Sequence, residues 1–187
     1  MPLTELVRPA PEHVASYQAA LRRGWSPDNL RPEAALAELT ALAADEAAFL
    51  AGFDDPEGRG PPLGMPDGTS RPRIPSIRRW IWDGREVCGS IGLRWQKGTA
   101  ELPSHVLGHI GYAVVPWRRG EGIGKRALAL MLHEARSRGL PHADLTCEVA
   151  NLASARVIQA NGGTLVGTFE RPAVYGGGPA LLWRIGL

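Results

Sequence analysis

Two cysteines, Cys88 and Cys147, are all that the 187 residues contain. They lie in separate apolar stretches, with no Cys-x-x-Cys pair and no Cys/His spacing that builds a zinc site, so both read as reduced core residues. Net charge is also scarce, at +2. The arginines are scattered along the chain rather than gathered into one basic run, which argues against nucleic acid as the main partner. No stretch reaches the roughly 18 apolar residues of a membrane span. The first residues, MPLTELVRPAPEHV, lack a basic segment leading into an apolar one, so the expectation is a cytoplasmic protein without a membrane association. No internal repeat is visible. A hydrophobic content of 44% with 21% charged residues is ordinary for a folded protein, and the length suits a single domain over residues 1–187.

What the sequence does contain is an alternation of strand and helix signals. LTELV (3–7) is a short strand candidate, and Pro11 and Glu12 open a helix running to about residue 23. A second helix is expected from Pro32 to about Leu50, with Leu36, Leu39, Ala43 and Ala47 on one face. Residues 54–76 are dense in proline and glycine, a loop long enough to suggest a lid or a floppy segment. IRRWIWDG and REVCGSIGLRW read as a β-hairpin turning on Asp83-Gly84. A strand over 106–116, a helix closed by Gly139 and a strand HADLTCEV then form a βαβ unit. A helix from about 152 to 160, stopped by Gly162-Gly163, and two final strands complete the order.

The segment VPWRRGEGIGKRALALML (115–132) carries the clearest chemistry. A strand, a glycine turn and a helix in that order aim backbone N–H groups and a helix dipole at one point, which suits an anion, above all a phosphate. Gly120, Gly122 and Gly124 allow close approach, and Arg118, Arg119 and Lys125 add positive charge. A P-loop would need glycine at 119 and a hydroxyl at 126, where the chain has Arg119 and Arg126. A dinucleotide turn would need a small residue at 125, which is Lys125.

The pattern Arg119-Gly-Glu-Gly-Ile-Gly124 resembles the coenzyme A pyrophosphate motif of the GNAT superfamily of N-acetyltransferases. NLASARVIQANGG (151–163) is similar to the second motif of that family, and TCEVANLASARVIQANGG resembles a bacterial group of predicted acetyltransferases of undefined substrate. The resemblance implies an α/β GNAT fold: a mixed, mostly antiparallel sheet of about six to seven strands with a splayed parallel pair, flanked by about four helices. It implies acetyl-CoA as co-substrate. The backbone of Val114 and Val115 would pair with pantetheine, and the amides of Arg119, Gly120, Glu121, Gly122, Ile123, Gly124 and Lys125 would cradle the pyrophosphate. Arg118 would be a solvated charge or a contact to an adenosine phosphate. Asn151 would contact the cofactor or cap its helix, and Ser154 would reach the cofactor or simply sit in the first turn.

A backbone N–H near Tyr112 to Val114 is then the expected donor to the thioester oxygen. Glu148 and His109 compete for the role of general base, Glu148 from the end of its strand and His109 as an imidazole beside the expected gap. His105 and His109, four apart on a strand, would lie roughly 13 Å from each other, too far to share a metal; no metal is expected. Many members of the family carry a tyrosine acid seven residues after the motif asparagine, where this chain has Ile158; Tyr175 and Tyr112 are the substitutes. The acceptor would be an amine of a small molecule or a protein, bound among residues 25–28, 54–76 and 171–179. There Trp25, Asp54, Asp55, Glu57, Asp67 and Tyr175 would meet it, the acidic ones drawing a cationic amine. Any assembly is expected to be a homodimer. The alternative to an enzyme is an acyl-CoA sensor that kept the cradle and lost turnover.

Overall fold

The computed structural model describes residues 3–64 and 68–187. Its elements are β1 (Glu5–Val7), α1 (Pro11–Arg22), α2 (Ala34–Ala44), α3 (Glu46–Ala51), β2 (Asp54–Asp55), β3 (Leu63–Gly64), β4 (Ser70–Arg71), β5 (Ser76–Trp82), β6 (Val87–Arg94), β7 (Ile110–Val114), α4 (Ile123–Ser137), β8 (His142–Glu148), α5 (Leu152–Gln159), β9 (Thr164–Glu170) and β10 (Pro179–Gly186). One sheet has the order β1-β5-β6-β7, with β2 also on β5, and another has the order β8-β10-β9. Every hydrogen-bonded strand pair is antiparallel. β7 and β8, joined through α4, run in parallel without forming a ladder, so the expected mixed sheet is divided at its splayed pair.

Period-two alternation sorts the strands between two cores. Ile77 and Ile81 of β5, Ile91 and Leu93 of β6 and Leu145 of β8 face α4 and α5, where Ile123, Ala127, Leu128, Met131 and Ala135 return a buried helical stripe. On the opposite face Trp80 and Ala113 pack against Val14, Tyr17 and Leu21 of α1 and Leu42 of α2. Tyr17 stacks on Trp80 with ring centroids 4.1 Å apart. The β5–β6 hairpin turns on Asp83-Gly84 as its sequence demands. Gly84 takes φ +94°, and one Asp83 carboxylate oxygen accepts from the Arg85 and Glu86 N–H groups at 2.9 Å. Cys88 and Cys147 are buried free thiols.

Three expectations need correction. The helix expected over 32–50 is two helices, because Asp45 is extended and its carboxylate caps α3 by accepting from Ala48 N–H at 2.9 Å. The inward face is also different: Ala35, Leu39 and Leu42 turn in, while Leu36 is 70% exposed and Ala43 and Ala47 are exposed. The stretch is Ala/Leu-rich all round, and its rotation is set by Glu38, which accepts hydrogen bonds from Tyr17 and Arg78. Finally, the strand expected over 106–116 shrinks to Ile110–Val114, since Val106 N–H closes a turn onto Pro103 O. The proline- and glycine-rich stretch carries local structure over its described residues. The Asp55 carboxylate accepts from Arg59 and Gly60 N–H at 2.8 and 2.9 Å, and β3 pairs with β4. Asp67 lies outside the described residues.

Candidate active site

The splayed strands meet at one point. His109 N–H donates to Asp144 O at 2.7 Å, and Asp144 N–H donates back to His109 Nδ1 at 3.0 Å. Beyond this vertex each strand satisfies its other neighbour, β7 on β6 and β8 on β10, and a V-shaped gap opens. Val115 N–H donates to Cys88 O, so by the antiparallel alternation Ala113 and Gly111 also face β6 while Val114 and Tyr112 turn their backbone groups into the gap. Of the expected pair, Val114 is therefore available in the gap and Val115 is not, because the pleat allows only alternate residues. Tyr112 O accepts from Asn29 Nδ2 at 2.9 Å and Val114 O from Arg119 Nε at 3.2 Å. Their N–H groups have no acceptor among the described residues.

At the open end of β7, Pro116–Arg118 form a single 3₁₀ turn and α4 begins at Ile123. Gly120 and Gly122 take φ +86° and +74°, conformations that favour glycine. The Arg119 N–H, expected in the cradle, instead donates to Pro116 O at 3.3 Å, closing the 3₁₀ turn; none of the N–H groups from Gly120 to Lys125 has an acceptor among the described residues, and the first turn of α4 contains no acidic residue. Arg119 and Lys125 are exposed beside these amides. This arrangement of unpaired amides, helix N-terminus and flanking cations suits a pyrophosphate. Arg118 has a different task from the one expected. Its guanidinium bonds Asp83 at 2.8 Å, Glu86 at 2.7 Å and Glu121 at 2.9 Å, stapling the turn to the β5–β6 hairpin. The Glu121 carboxylate is thus turned to Arg118 and only its amide serves the cradle.

On α5, Asn151 Oδ1 accepts from Ser154 N–H at 3.0 Å, the helix-capping bond, and Ser154 Oγ lies 2.9 Å from the Tyr112 hydroxyl. Burial pushes the Tyr112 phenol up to about 12, against the pull of its bond to Ser154, so it keeps its proton near neutrality. Gly124 leaves room between them: a Cβ there would stand 3.6 to 3.7 Å from Val114, Val157 and the Tyr112 ring. Ile158 is fully buried in the core.

The gap opens into a cleft of about 1060 Å³. Glu148 lines it from the end of β8, its Oε1 accepting from Arg171 Nη2 at 2.9 Å. His109 does not line it: the side chain is 1% exposed, and burial lowers its pKa although Asp144 opposes the shift. The other walls come from the α1–α2 connection, residues 72–78 and the β9–β10 hairpin, whose Tyr175 hydroxyl donates to His105 O at 2.5 Å. These are the segments expected to meet an acceptor, but their expected acidic residues are spent elsewhere. Asp54 pairs with Arg79 and Arg8, Asp55 holds its own loop, Glu57 pairs with Lys97, and Trp25 is buried against Tyr17. The site residues that local sequence patterns do not single out are Asn29, Arg94 and Arg171, which reach the cleft through long-range pairing.

The model of the acetyltransferase (GNAT) family matches residues 49–162, more than half of the chain. No curated protein matches it in sequence. Among solved structures, the microcin C7 self-immunity acetyltransferase MccE, in complex with acetyl-CoA and AMP, superposes with a TM-score of 0.65 at 12% identity, over 98% of this chain and 92% of that one. The ribosomal L7/L12 alpha-N-protein acetyltransferase RimL, in complex with coenzyme A, gives 0.64 at 17% identity, over 100% and 96%. RimJ of Mycobacterium smegmatis, in complex with a coenzyme A disulfide, gives 0.63 at 17%, over 98% and 81%. Among the described residues no helix is long and apolar enough to cross a membrane. The chain belongs to the GNAT acetyltransferase family, enzymes that use acetyl-CoA as co-substrate.

Proposed function

We propose that the protein transfers the acetyl group of acetyl-CoA directly to a neutral amine of a small molecule or a protein, with Glu148 as general base. The observation that carries this reading is convergence: Tyr112, Glu148, Asn151 and Ser154 line one cleft, and the glycine cradle follows at the end of the same strand β7, its Gly124 beside Val114 and the Tyr112 ring. Acetyl-CoA supplies an activated thioester carbonyl. The amides of Gly120 to Lys125, with Arg119 and Lys125, hold its pyrophosphate, while the backbone of Val114 and the side chains of Asn151 and Ser154 hold the pantetheine arm. The Tyr112 N–H in the gap is the donor for the carbonyl oxygen, a preorganised dipole that needs no special side chain.

Arg171 holds one oxygen of Glu148 and leaves the other free to take the amine's proton, directly or through water. His109 is unsuited to that task, because its Nδ1 is committed to Asp144 N–H and the ring is sealed from the cleft. The Tyr112 phenol, held protonated beside α5, is the proton donor for the departing thiolate. Thiol release from acetyl-CoA with an amine panel tests the proposal. Glu148→Gln should lower kcat by about 100-fold while calorimetry shows unchanged acetyl-CoA binding. Full kcat in Glu148→Gln, or no acetyl-CoA binding by the wild type, would refute it.

A further inference from the structure

Most of the charged side chains that line the cleft are held by partners inside the protein. Arg31 bonds Asp28 at 2.8 Å, Arg78 bonds Glu38 at 2.9 Å, Arg171 bonds Glu148 at 2.9 Å, and Arg73 Nε donates to Pro61 O at 2.7 Å. Arg94 is different. It ends β6, its backbone N–H is anchored on His109 O at 2.9 Å, and its side chain has no hydrogen bond or ion pair among the described residues. The guanidinium lies over Gly111, where a Cβ would stand 3.5 Å from Nη2. It is therefore next to the backbone that opens the gap.

The polar groups around it are already occupied. Asp28 accepts from Leu30 N–H on one oxygen, at 2.9 Å, and from Arg31 on the other. The Tyr175 hydroxyl donates to His105 O. Of the remaining carboxylates in the cleft, Glu38 and Glu148 have their own arginines, and Glu33 is exposed at the N-terminus of α2. Arg94 itself is exposed to the cleft, Asp28 and Tyr175 act on it only through space, and the guanidinium stays charged. The cleft thus contains a charged planar fork of donors that has no hydrogen-bond partner of its own among the described residues.

We propose that Arg94 is the specificity site for the acceptor: it binds an oxyanion, carboxylate or phosphate, carried on the same molecule as the reacting amine. This rests on the cleft being the acceptor site. The acceptor class is then an amino acid, a peptide carboxylate or a phosphorylated amine, and not a polyamine.

Matched pairs differing only in the anion test this: lysine against cadaverine, phenylalanine against phenethylamine, and O-phosphoethanolamine against ethanolamine. Thiol release is measured with wild type, Arg94→Gln and Arg94→Lys. In at least one pair the wild type should favour the anionic member about tenfold or more in kcat/KM, through KM, as expected for a charge-assisted bond. Arg94→Gln should abolish the preference and Arg94→Lys retain part of it. Which pairs respond separates carboxylate from phosphate. No preference in the wild type, or a preference that survives Arg94→Gln, overturns the proposal. If acetyl-CoA binds but no amine is acetylated, the transfer reading fails by itself. Calorimetric titration of the same anionic amines into coenzyme A-loaded protein then decides: binding lost in Arg94→Gln upholds the anion site, and no binding by the wild type overturns it.

Discussion

Replacing His109 tests what holds the two strands at their vertex. The side chain is 1% exposed and its Nδ1 is the acceptor for Asp144 N–H at 3.0 Å. Truncation to alanine leaves that buried donor unpaired, at about 1–3 kcal/mol, and adds the cost of an imidazole-sized void, for about 3 kcal/mol together. In a chain of this length each kcal/mol moves Tm by about 2–4 °C, so His109→Ala should melt roughly 6–12 °C lower. His109→Asn, whose side-chain oxygen can accept the same N–H, should recover part of the loss.

The pH dependence adds a second readout. Burial lowers the His109 pKa from its ordinary 6.5, so on acidification the unfolded chain takes up the proton before the folded one. The contribution to stability is complete above about pH 6.5 and is lost as pH falls below it. Protonation also places a hydrogen on Nδ1 and removes the acceptor for Asp144. Urea denaturation between about pH 7.5 and 5.5 should show a steeper loss of stability for wild type than for His109→Asn. A collapse of kcat in His109→Asn at unchanged Tm, together with loss of the acid limb of the pH–rate profile, would refute this reasoning and return His109 to the role of base.

Gly122→Ala places a side chain at φ +74° with its Cβ 3.0 Å from the flexible end of Arg126, at a cost of about 1–2 kcal/mol. Calorimetry should show acetyl-CoA affinity down by about tenfold or more, and an unchanged affinity would remove the glycine turn from the cradle. Arg118→Gln strips the staple from the hairpin; counting chiefly the bond to Asp83, which is 13% exposed, and discounting the more exposed Glu86 and Glu121, urea denaturation should show about 2 kcal/mol less stability. Tyr112→Phe should lower kcat about tenfold or more with little change in the KM for acetyl-CoA, and an unaffected kcat would leave the thiolate to depart without help from this phenol.

Parts of the site were legible because their physics is local. A turn that needs positive φ announces itself by Gly120 and Gly122, and a hairpin by Asp83-Gly84. Other parts depend on partners far along the chain. Val114 and Val115 look alike until the pairing of β7 with β6 settles which backbone faces the gap. Arg118 and Arg119 are neighbours, yet only Arg118 meets the carboxylates of a hairpin 32 and 35 residues upstream. Asn29 reaches Tyr112 across 83 residues, and Arg94 gains its isolation from what Asp28 and Tyr175 do elsewhere. The face of α2 was unreadable for another reason: a helix apolar on every side carries no period to read.

The gap between β7 and β8 would be a liability if it were only a broken ladder, since unpaired backbone groups in a protein interior are costly. The chain resolves half of that cost and leaves the other half exposed to a ligand. Asn29 and Arg119 donate to the carbonyls of Tyr112 and Val114, so the edge of β7 has its acceptors covered while its N–H donors stay open. At the end of β7 the amides of Gly120 to Lys125 extend the same bias to the start of α4. A boundary of donors selects for oxygen acceptors, and a thioester carbonyl and a pyrophosphate are both such groups. Glu148, the proposed general base, comes from the opposite strand. The splay thus places the proposed proton acceptor and the oxygen donors on different strands, joined by the hydrogen bonds between His109 and Asp144. This is why loosening that vertex should disturb the alignment of the site even though neither residue lines the cleft.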